Sequence, residues 1–205
     1  MSQRYPIPAQ TIRTEINIKR SRFIATVGRA ETVEAARAFI QQIRAEMPDA
    51  SHHVYAFRVG YGSSVQEGLS DDGEPAGTSG KPTMAVLRGA DLGDVVLVIT
   101  RYFGGTKLGT GGLVRAYSLA AKEVLDILPR IEKISTVSVE IPVPYAHYDQ
   151  VKRLLPDYQA TILDEIFAKD VTLKLSIPQD LFGPFSAHIR EFTLGNIAPI
   201  LASES

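Results

Sequence analysis

The stretch VVLVITRYFGGTKLGTGGLVRAY, residues 95–117, predicts a buried strand, a glycine-rich loop and a helix in immediate succession. The five apolar residues of 95–99 are typical of a central strand that is covered on both faces. Beyond the loop, apolar residues recur at helical spacing until Pro129 ends the pattern: Leu113, Tyr117, Ala120, Ala121, Val124 and Leu128. This strand, loop and helix therefore form the centre of a domain that mixes α and β structure.

The sequence before this unit predicts the other elements of the same domain. Alternation of apolar and polar residues predicts short strands, and the 3.6-residue spacing predicts helices. The strands lie near residues 12–18, 22–27, 54–59 and 65–69, and the helices near 36–47 and 81–90. Pro48 ends the first of these helices, and the pair Lys81-Pro82 begins the second.

Pro129 also marks the predicted domain boundary, because the order of elements changes after it. We expect one domain over residues 1–130 and a second over 131–205. The second predicts the order β-α-β-β-α-β, with strands near 137–143, 160–167, 171–177 and 197–201 and helices near 145–155 and 182–192. This order is that of the ferredoxin-like fold, in which two helices cover one face of an antiparallel sheet. The predicted fold class of the chain is α+β.

Composition limits the class of protein. Of the 205 residues, 44% are hydrophobic and 22% are charged, which are ordinary globular values and exclude disordered and fibrous proteins. We expect a cytoplasmic protein without a membrane partner, because no apolar run reaches the length of a membrane span and the N-terminus lacks a secretory signal. The absence of Cys excludes disulfides, thiolate nucleophiles and zinc held by Cys.

The distribution of charge and glycine points to the first domain as the place of an anion-binding site. The net charge of −1 argues against a protein that coats nucleic acid through bulk positive charge. Residues 1–130 nevertheless hold 16 Lys and Arg against 13 Asp and Glu, whereas residues 131–205 hold 6 against 10. Of the 16 glycines, 13 lie between Gly60 and Gly112. We therefore interpret the acidic second domain as a spacer or a protein-contacting element.

The glycine loop, residues 100–112 (TRYFGGTKLGTGG), is the first candidate site. A glycine-rich turn from strand to helix leaves unpaired N–H groups at the positive end of the helix dipole, and such a site binds phosphate. The candidate cations are Arg101 and Lys107 of the loop, Arg115 of the following helix, and Lys81, which lies earlier in the chain. The glycines that would let a phosphate approach are Gly104, Gly105, Gly109, Gly111 and Gly112. Tyr102 and Phe103 either stack on bases or lie in the core, and Tyr102 is the candidate residue for stacking on a base. The alternative is that the glycines only form turns.

The acidic loop, residues 67–82 (EGLSDDGEPAGTSGKP), is the second candidate site. Asp71, Asp72 and Glu74 carry the oxygen ligands that suit Mg²⁺, and Thr78 is a further candidate residue of this loop. The alternative is that these acids are turn residues or pair with cations of the glycine loop.

Familiar nucleotide-binding and catalytic motifs do not fit. The Walker A pattern fails because Lys81 is followed by Pro82, and the dinucleotide pattern fails because Val114 stands where its last glycine belongs. No nucleophile elbow with a Ser-His-Asp order is present. The adjacent His52 and His53 point to opposite faces of a strand, so at most one of them serves a site.

Three runs of the sequence closely resemble the IMPACT/YigZ family: SRFIA (21–25), SDDGEP (70–75) and TRYFGGTKLG (100–109). The resemblance covers about residues 15–128, and the remaining chain resembles the C-terminal domain of bacterial members. Members of the family usually carry His-Asn-Cys where this chain has His52-His53-Val54, so only His52 carries over at these positions.

The resemblance implies the fold and the kind of function. It implies a first domain of the ribosomal protein S5 domain 2-like type, as in domain IV of elongation factor G, and a ferredoxin-like second domain similar to domain V of that factor. Eukaryotic relatives regulate translation with an additional N-terminal domain for which this chain has no room, and bacterial relatives are associated with binding of nucleic acid or the ribosome. We therefore predict a translation-related regulator that needs no cofactor and binds RNA or the ribosome through the glycine loop.

Two alternative functions stay open on the sequence alone. In the first, the chain is a Mg²⁺-dependent enzyme acting on a nucleotide or another small phosphate. Asp71, Asp72 and Glu74 would hold the metal, Lys81 and Lys107 the phosphate, and His52 would act as acid or base. In the second, the loops dock another protein.

Overall fold

The computed structural model describes residues 4–202, which divide into two compact units. One unit comprises residues 5–133, and the other comprises residues 134–202 together with Arg4. None of the described helices is long and apolar enough to cross a membrane.

A five-stranded antiparallel sheet forms the centre of the first unit, in the order β2-β3-β6-β4-β5. The elements are β1 (Arg4–Pro8), β2 (Ile12–Ile18), β3 (Ser21–Arg29), α1 (Val33–Glu46), β4 (His52–Val59), β5 (Gln66–Ser70), α2 (Gly80–Gly89), β6 (Val95–Tyr102), α3 (Thr110–Asp126) and β7 (Arg130–Ile134). β1 pairs with β7 in a separate two-stranded sheet.

The central strand β6 is covered on both faces, as its apolar run predicts. Val95, Leu97 and Ile99 face a core that contains α2 and α3, whereas Val96 and Val98 face a second core that contains α1. All five side chains are fully buried, because helices cover both faces of this antiparallel sheet. The end of β6 therefore emerges at a fixed place between its two neighbouring strands.

The second unit confirms the predicted order β-α-β-β-α-β. Its elements are β8 (Thr136–Val143), α4 (Tyr145–Leu154), β9 (Thr161–Phe167), β10 (Val171–Pro178), α5 (Gln179–Phe192) and β11 (Ile200–Leu201). The strands form one antiparallel sheet in the order β11-β8-β10-β9. Alternate residues of β8 and β10 pack with α4 and α5 in a single core, which accounts for the strict alternation in the sequence.

Several boundaries and one pair of strands differ from the sequence prediction, and α1 and α5 each begin three residues earlier than predicted, at Val33 and Gln179. Helix α2 begins at Gly80, one residue before Lys81. The last strand is shorter than residues 197–201, because Ile197 is buried in the core and its N–H donates to Thr193 Oγ1 rather than to a strand. The pair of β1 and β7 is not predicted, since β1 contains two prolines and β7 is mostly exposed.

Candidate functional site

The acidic loop and the glycine loop meet at one cleft of about 320 Å³ at the end of β6. The acidic loop contributes Glu74 and Pro75, and the other lining residues come from the glycine loop and the start of α3: Arg101, Phe103, Lys107, Leu108, Gly109, Thr110 and Leu113. Two segments that are separated in the sequence therefore line one cleft.

The start of α3 carries backbone N–H groups without acceptors. Gly109 precedes the helix with φ of 73°, no side chain caps this end, and no acidic residue lies in the first turn. The first amide with a backbone partner is that of Leu113, which donates to the carbonyl of Gly109. Within residues 4–202, the N–H groups of Thr110, Gly111 and Gly112 have no hydrogen-bond acceptor. These three amides and the exposed side chains of Lys107 and Arg115 are called the helix-start surface below.

The cations of the helix-start surface are not neutralised by carboxylates. Lys107 and Arg115 are exposed, and neither forms an ion pair with a described residue. A second cavity of about 230 Å³ lies on the other side of the loop and is lined by Lys19, Arg115 and five further residues: Ile18, Leu108, Gly112, Ala116 and Leu119. Lys81 is also exposed, but it lines neither cavity.

Lys19 is a basic residue of this region that the sequence prediction missed. Lys19 and Arg20 form the two-residue turn between β2 and β3, with φ of 45° and 68°. Such turns favour Asn and Gly, and a left-handed conformation costs other residues about 1–2 kcal/mol. A turn of two basic residues is therefore retained at a cost in backbone strain. The Lys-Arg pair after a strand pattern was the only signal in the sequence.

Arg101 lies inside the protein, whereas we predicted that it faces a phosphate outside. Its side chain is only 5% exposed, and its Nη1 donates to Glu74 Oε1 at 2.6 Å. Its Nη2 donates to Ser21 Oγ at 3.2 Å, and its buried Nε has no partner. This placement replaces the predicted outward contact with an internal ion pair, because the register sets Arg101 between Phe23 of β3 and His52 of β4.

Glu74 is the centre of a buried polar network. Its side chain is 3% exposed, and its Oε1 also accepts a hydrogen bond from Tyr117 Oη at 2.8 Å. Burial and the negative charge of Glu74 raise the pKa of Tyr117 well above its usual value. His52 Nε2 lies 3.9 Å from Glu74 Oε2. The alternative in which the acidic loop pairs with the glycine loop therefore holds for Glu74.

Asp71 is engaged in holding the start of α2. Its carboxylate accepts hydrogen bonds from the amides of Gly77, Ser79 and Gly80 at 2.7–3.1 Å and from Ser79 Oγ at 2.7 Å. Burial opposes ionisation, but these hydrogen bonds outweigh it and lower the pKa of Asp71. Thr78 is buried in the same turn, where its Oγ1 donates to the carbonyl of Pro75 at 2.7 Å.

The three candidate metal ligands, Asp71, Asp72 and Glu74, are all occupied by protein donors. Asp72 pairs with Arg44 and accepts the N–H of His53 at 2.6 Å. His53 is buried on the opposite side of the strand from His52 and contacts Thr100 Oγ1 at 3.1 Å, as the alternation predicts. No cluster of three His, Asp or Glu residues with metal-binding geometry occurs among residues 4–202. Mg²⁺ binding at these acids would require existing hydrogen bonds to break.

The glycines of the loop have different structural roles. A Cβ on Gly104 would lie 1.9 Å from the carbonyl oxygen of Arg20, so the loop can pass the β2–β3 turn only with glycine there. Gly109 has positive φ and redirects the chain into α3. Gly105 also has positive φ and is exposed, and Gly111 and Gly112 lie in the first helical turn.

The two aromatic residues of the glycine loop lie in different environments. Tyr102, the residue proposed to stack on a base, is partly buried against the core that contains α1, and the guanidinium of Arg22 lies 4.4 Å from its ring centre. Phe103 is 47% exposed and lines the cleft. Of the two rings, that of Phe103 is therefore the one placed to contact a ligand.

Known proteins match the whole chain. Residues 19–125 match the Impact N-terminal domain, and residues 141–196 match a domain of unknown function, DUF1949. The IMPACT family member YigZ of Escherichia coli (strain K12) is 37% identical over 97% of this chain and 98% of its own length. A crystal structure of a hypothetical protein is 36% identical over the full length of both chains, with a TM-score of 0.71. The two-domain translational regulator Yih1 is 23% identical over 59% of this chain and 46% of its own, with a TM-score of 0.37.

Proposed function

Because the chain belongs to the IMPACT family, we propose that it is a translation-related regulator and that its helix-start surface binds the phosphate backbone of RNA, free or within the ribosome. The observation that carries this proposal is the set of three unpaired N–H groups at the exposed start of α3. Unpaired amides at the positive end of a helix of 17 residues form a site for a phosphate oxygen.

The charges around the helix start support an extended ligand rather than one isolated anion. Arg101 and Glu74 neutralise each other inside the protein, so the outward positive charge comes from Lys107, Arg115 and Lys19. These three side chains line two cavities on either side of the glycine loop. A polymer with regularly spaced phosphates can contact both sides at once, and such contacts position RNA without reading its sequence.

The alternative of a Mg²⁺-dependent enzyme has weaker support. Each acid that would hold the metal already accepts hydrogen bonds or an ion pair from the protein. The cleft offers a single carboxylate, that of Glu74, and this carboxylate is buried against Arg101. A hydrated Mg²⁺ ion needs accessible oxygen ligands, which these residues do not offer.

The salt dependence of RNA binding tests the proposal. The affinity of the full chain for a single-stranded RNA is measured between low and physiological salt for the wild type and for Lys107→Ala and Arg115→Ala. Each substitution should make the slope of log affinity against log salt shallower by the amount that one phosphate contact contributes. Lys122→Ala is the matched control, because Lys122 is an exposed cation near the other end of α3. Equal slopes in all four proteins would contradict the proposal.

The role of the backbone is tested by removing one amide. Thr110 is the first residue of α3, where proline is tolerated because its N–H makes no helical hydrogen bond. We expect Thr110→Pro to weaken RNA binding, whereas Thr110→Ala, which keeps the N–H, should bind as the wild type does. If both variants bind equally, the amides do not contribute. A pull-down with the full chain distinguishes this function from docking of a protein. Partners that are lost after nuclease treatment indicate binding through RNA, whereas partners that are retained indicate direct protein docking.

A further inference from the structure

Phe103 follows the buried strand β6 and lies partly exposed at the wall of the cleft. Its N–H donates to Ser51 Oγ at 3.1 Å, and the guanidinium of Arg101 lies 5.5 Å from its ring centre. The hydrogen bond positions the backbone of Phe103, the guanidinium lies near its ring, and 47% of the residue remains exposed. A large aromatic side chain held at the wall of a cleft is typical of a binding site rather than of packing.

The cleft beside Phe103 combines apolar walls with a basic rim. Pro75, Leu108 and Leu113 give it apolar surface, and Lys107 stands at its edge together with the unpaired amide of Thr110. Its volume of about 320 Å³ lies at the lower end of the range of small-ligand pockets, about 300–1,000 Å³. The cleft therefore accommodates one group with an apolar planar part and an attached anion, and it is too small for a base-paired helix.

A buried hydrogen-bond donor also lacks a partner in the wall of this cleft. Arg101 lines the cleft, and its side chain is only 5% exposed. Its Nε has no acceptor among the described residues. Buried donors are nearly always paired, so this wall of the cleft contains a polar atom that the described residues leave unsatisfied.

We propose that this cleft holds one unstacked nucleotide of single-stranded RNA, with its base against Phe103 and its phosphate at the helix-start surface. The inference rests on the proposed function and adds the form of RNA that the protein selects. In a duplex both faces of a base are covered by neighbouring pairs, whereas a single strand can turn a base outward onto an aromatic ring. Stacking accepts any base, so the protein should prefer single strands without strong preference for sequence.

The test compares two substitutions of Phe103 on two forms of one RNA. Affinities of the full chain are measured by fluorescence anisotropy for a single strand of about ten nucleotides, within the usual site size of single-strand binders, and for the same strand annealed to its complement. Phe103→Leu keeps an apolar side chain but removes the ring, and it should weaken single-strand binding roughly five- to hundredfold. Phe103→Tyr keeps the ring and should bind within about twofold of the wild type.

Controls separate this inference from the proposed function. Phe103→Leu should leave duplex binding and the salt slope unchanged, because it removes no phosphate contact. Ile127→Ala, which truncates an exposed apolar residue at the end of α3, should change neither affinity. Thermal unfolding of each variant verifies that the chain is folded.

The outcomes test the nucleotide cleft and the binding of RNA by the helix-start surface separately. If Phe103→Leu binds the single strand as well as the wild type does while Lys107→Ala still lowers the salt slope, the nucleotide cleft is refuted and RNA binding stands. If the wild type binds neither RNA form, both are refuted. Uridine and adenosine monophosphates are titrated in parallel, and tighter binding of a mononucleotide than of the strand would overturn the RNA assignment in favour of a small-molecule site.

Discussion

Removing the negative charge of Glu74 should be among the most damaging single changes in the first unit. Glu74→Gln keeps the shape of the side chain and its hydrogen bond from Tyr117, but it leaves the guanidinium of Arg101 without a counter-charge at 5% exposure. Breaking a buried ion pair from one side costs about 3–5 kcal/mol, because the remaining charge stays desolvated. We expect the free energy of unfolding to fall by this amount.

A double-mutant cycle separates the ion pair from other effects of the substitution. Arg101→Met in the Glu74→Gln background removes the stranded charge, so the double variant should recover about 1–3 kcal/mol relative to Glu74→Gln alone. Unfolding in urea, followed by circular dichroism, gives the free energies of the wild type, Glu74→Gln, Arg101→Met and the double variant. Glu67→Gln is the control, because Glu67 pairs with Arg58 and the exposed Arg88 at the surface, where ion pairs contribute little.

Two results would refute this reasoning. The first is a loss for Glu74→Gln that is no larger than the loss for Glu67→Gln, which would mean that the charge of Arg101 is solvated. The second is a double variant that is less stable than either single variant, which would mean that the two residues stabilise the fold independently of each other.

Two further predictions concern the loops. Asp71→Asn should destabilise the protein at neutral pH. Because the folded-state pKa of Asp71 is lowered from 3.8, the stability that its carboxylate contributes is present above pH 3.8 and is lost as the pH falls below it. The urea midpoints of variant and wild type should therefore converge in acid, and a difference that stays constant with pH would contradict the argument. Gly104→Ala should strongly destabilise the first unit, because its Cβ would overlap the Arg20 carbonyl. Gly111→Ala has open space for its Cβ and should stabilise α3 by about 0.5–1 kcal/mol. Thermal unfolding measures both effects, and equal effects would show that the loop can move away from the turn.

Periodicity was sufficient to predict most of the fold. The apolar run of β6 and the alternation in β8 and β10 each state which faces are covered, and the structure confirms them. The strands β1 and β7 carry no such pattern, because their pairing depends on contacts between the two ends of the first unit rather than on burial of one face.

The position of the candidate site follows from the sequence, whereas the directions of its side chains do not. The glycines and cations of the loop predict an anion site, which stays a prediction, and this part of the sequence forms the exposed start of α3. The direction of a charged side chain depends on register, so the sequence could not tell that Arg101 turns inward to Glu74, 27 residues away. For the same reason the ring that faces the cleft is Phe103 and not Tyr102, one position earlier at the end of β6.

The contact of Gly104 with the backbone of Arg20 has a consequence for how a ligand is met. The N–H of Gly104 also donates a hydrogen bond to Ser21 Oγ at 3.3 Å, so the glycine loop contacts the residues at the β2–β3 turn. Lys19 and Lys107, 88 positions apart in the chain, therefore extend from two backbone segments that contact each other before any ligand arrives. In the proposed function, the backbone that carries these two cations needs little rearrangement when an RNA strand binds.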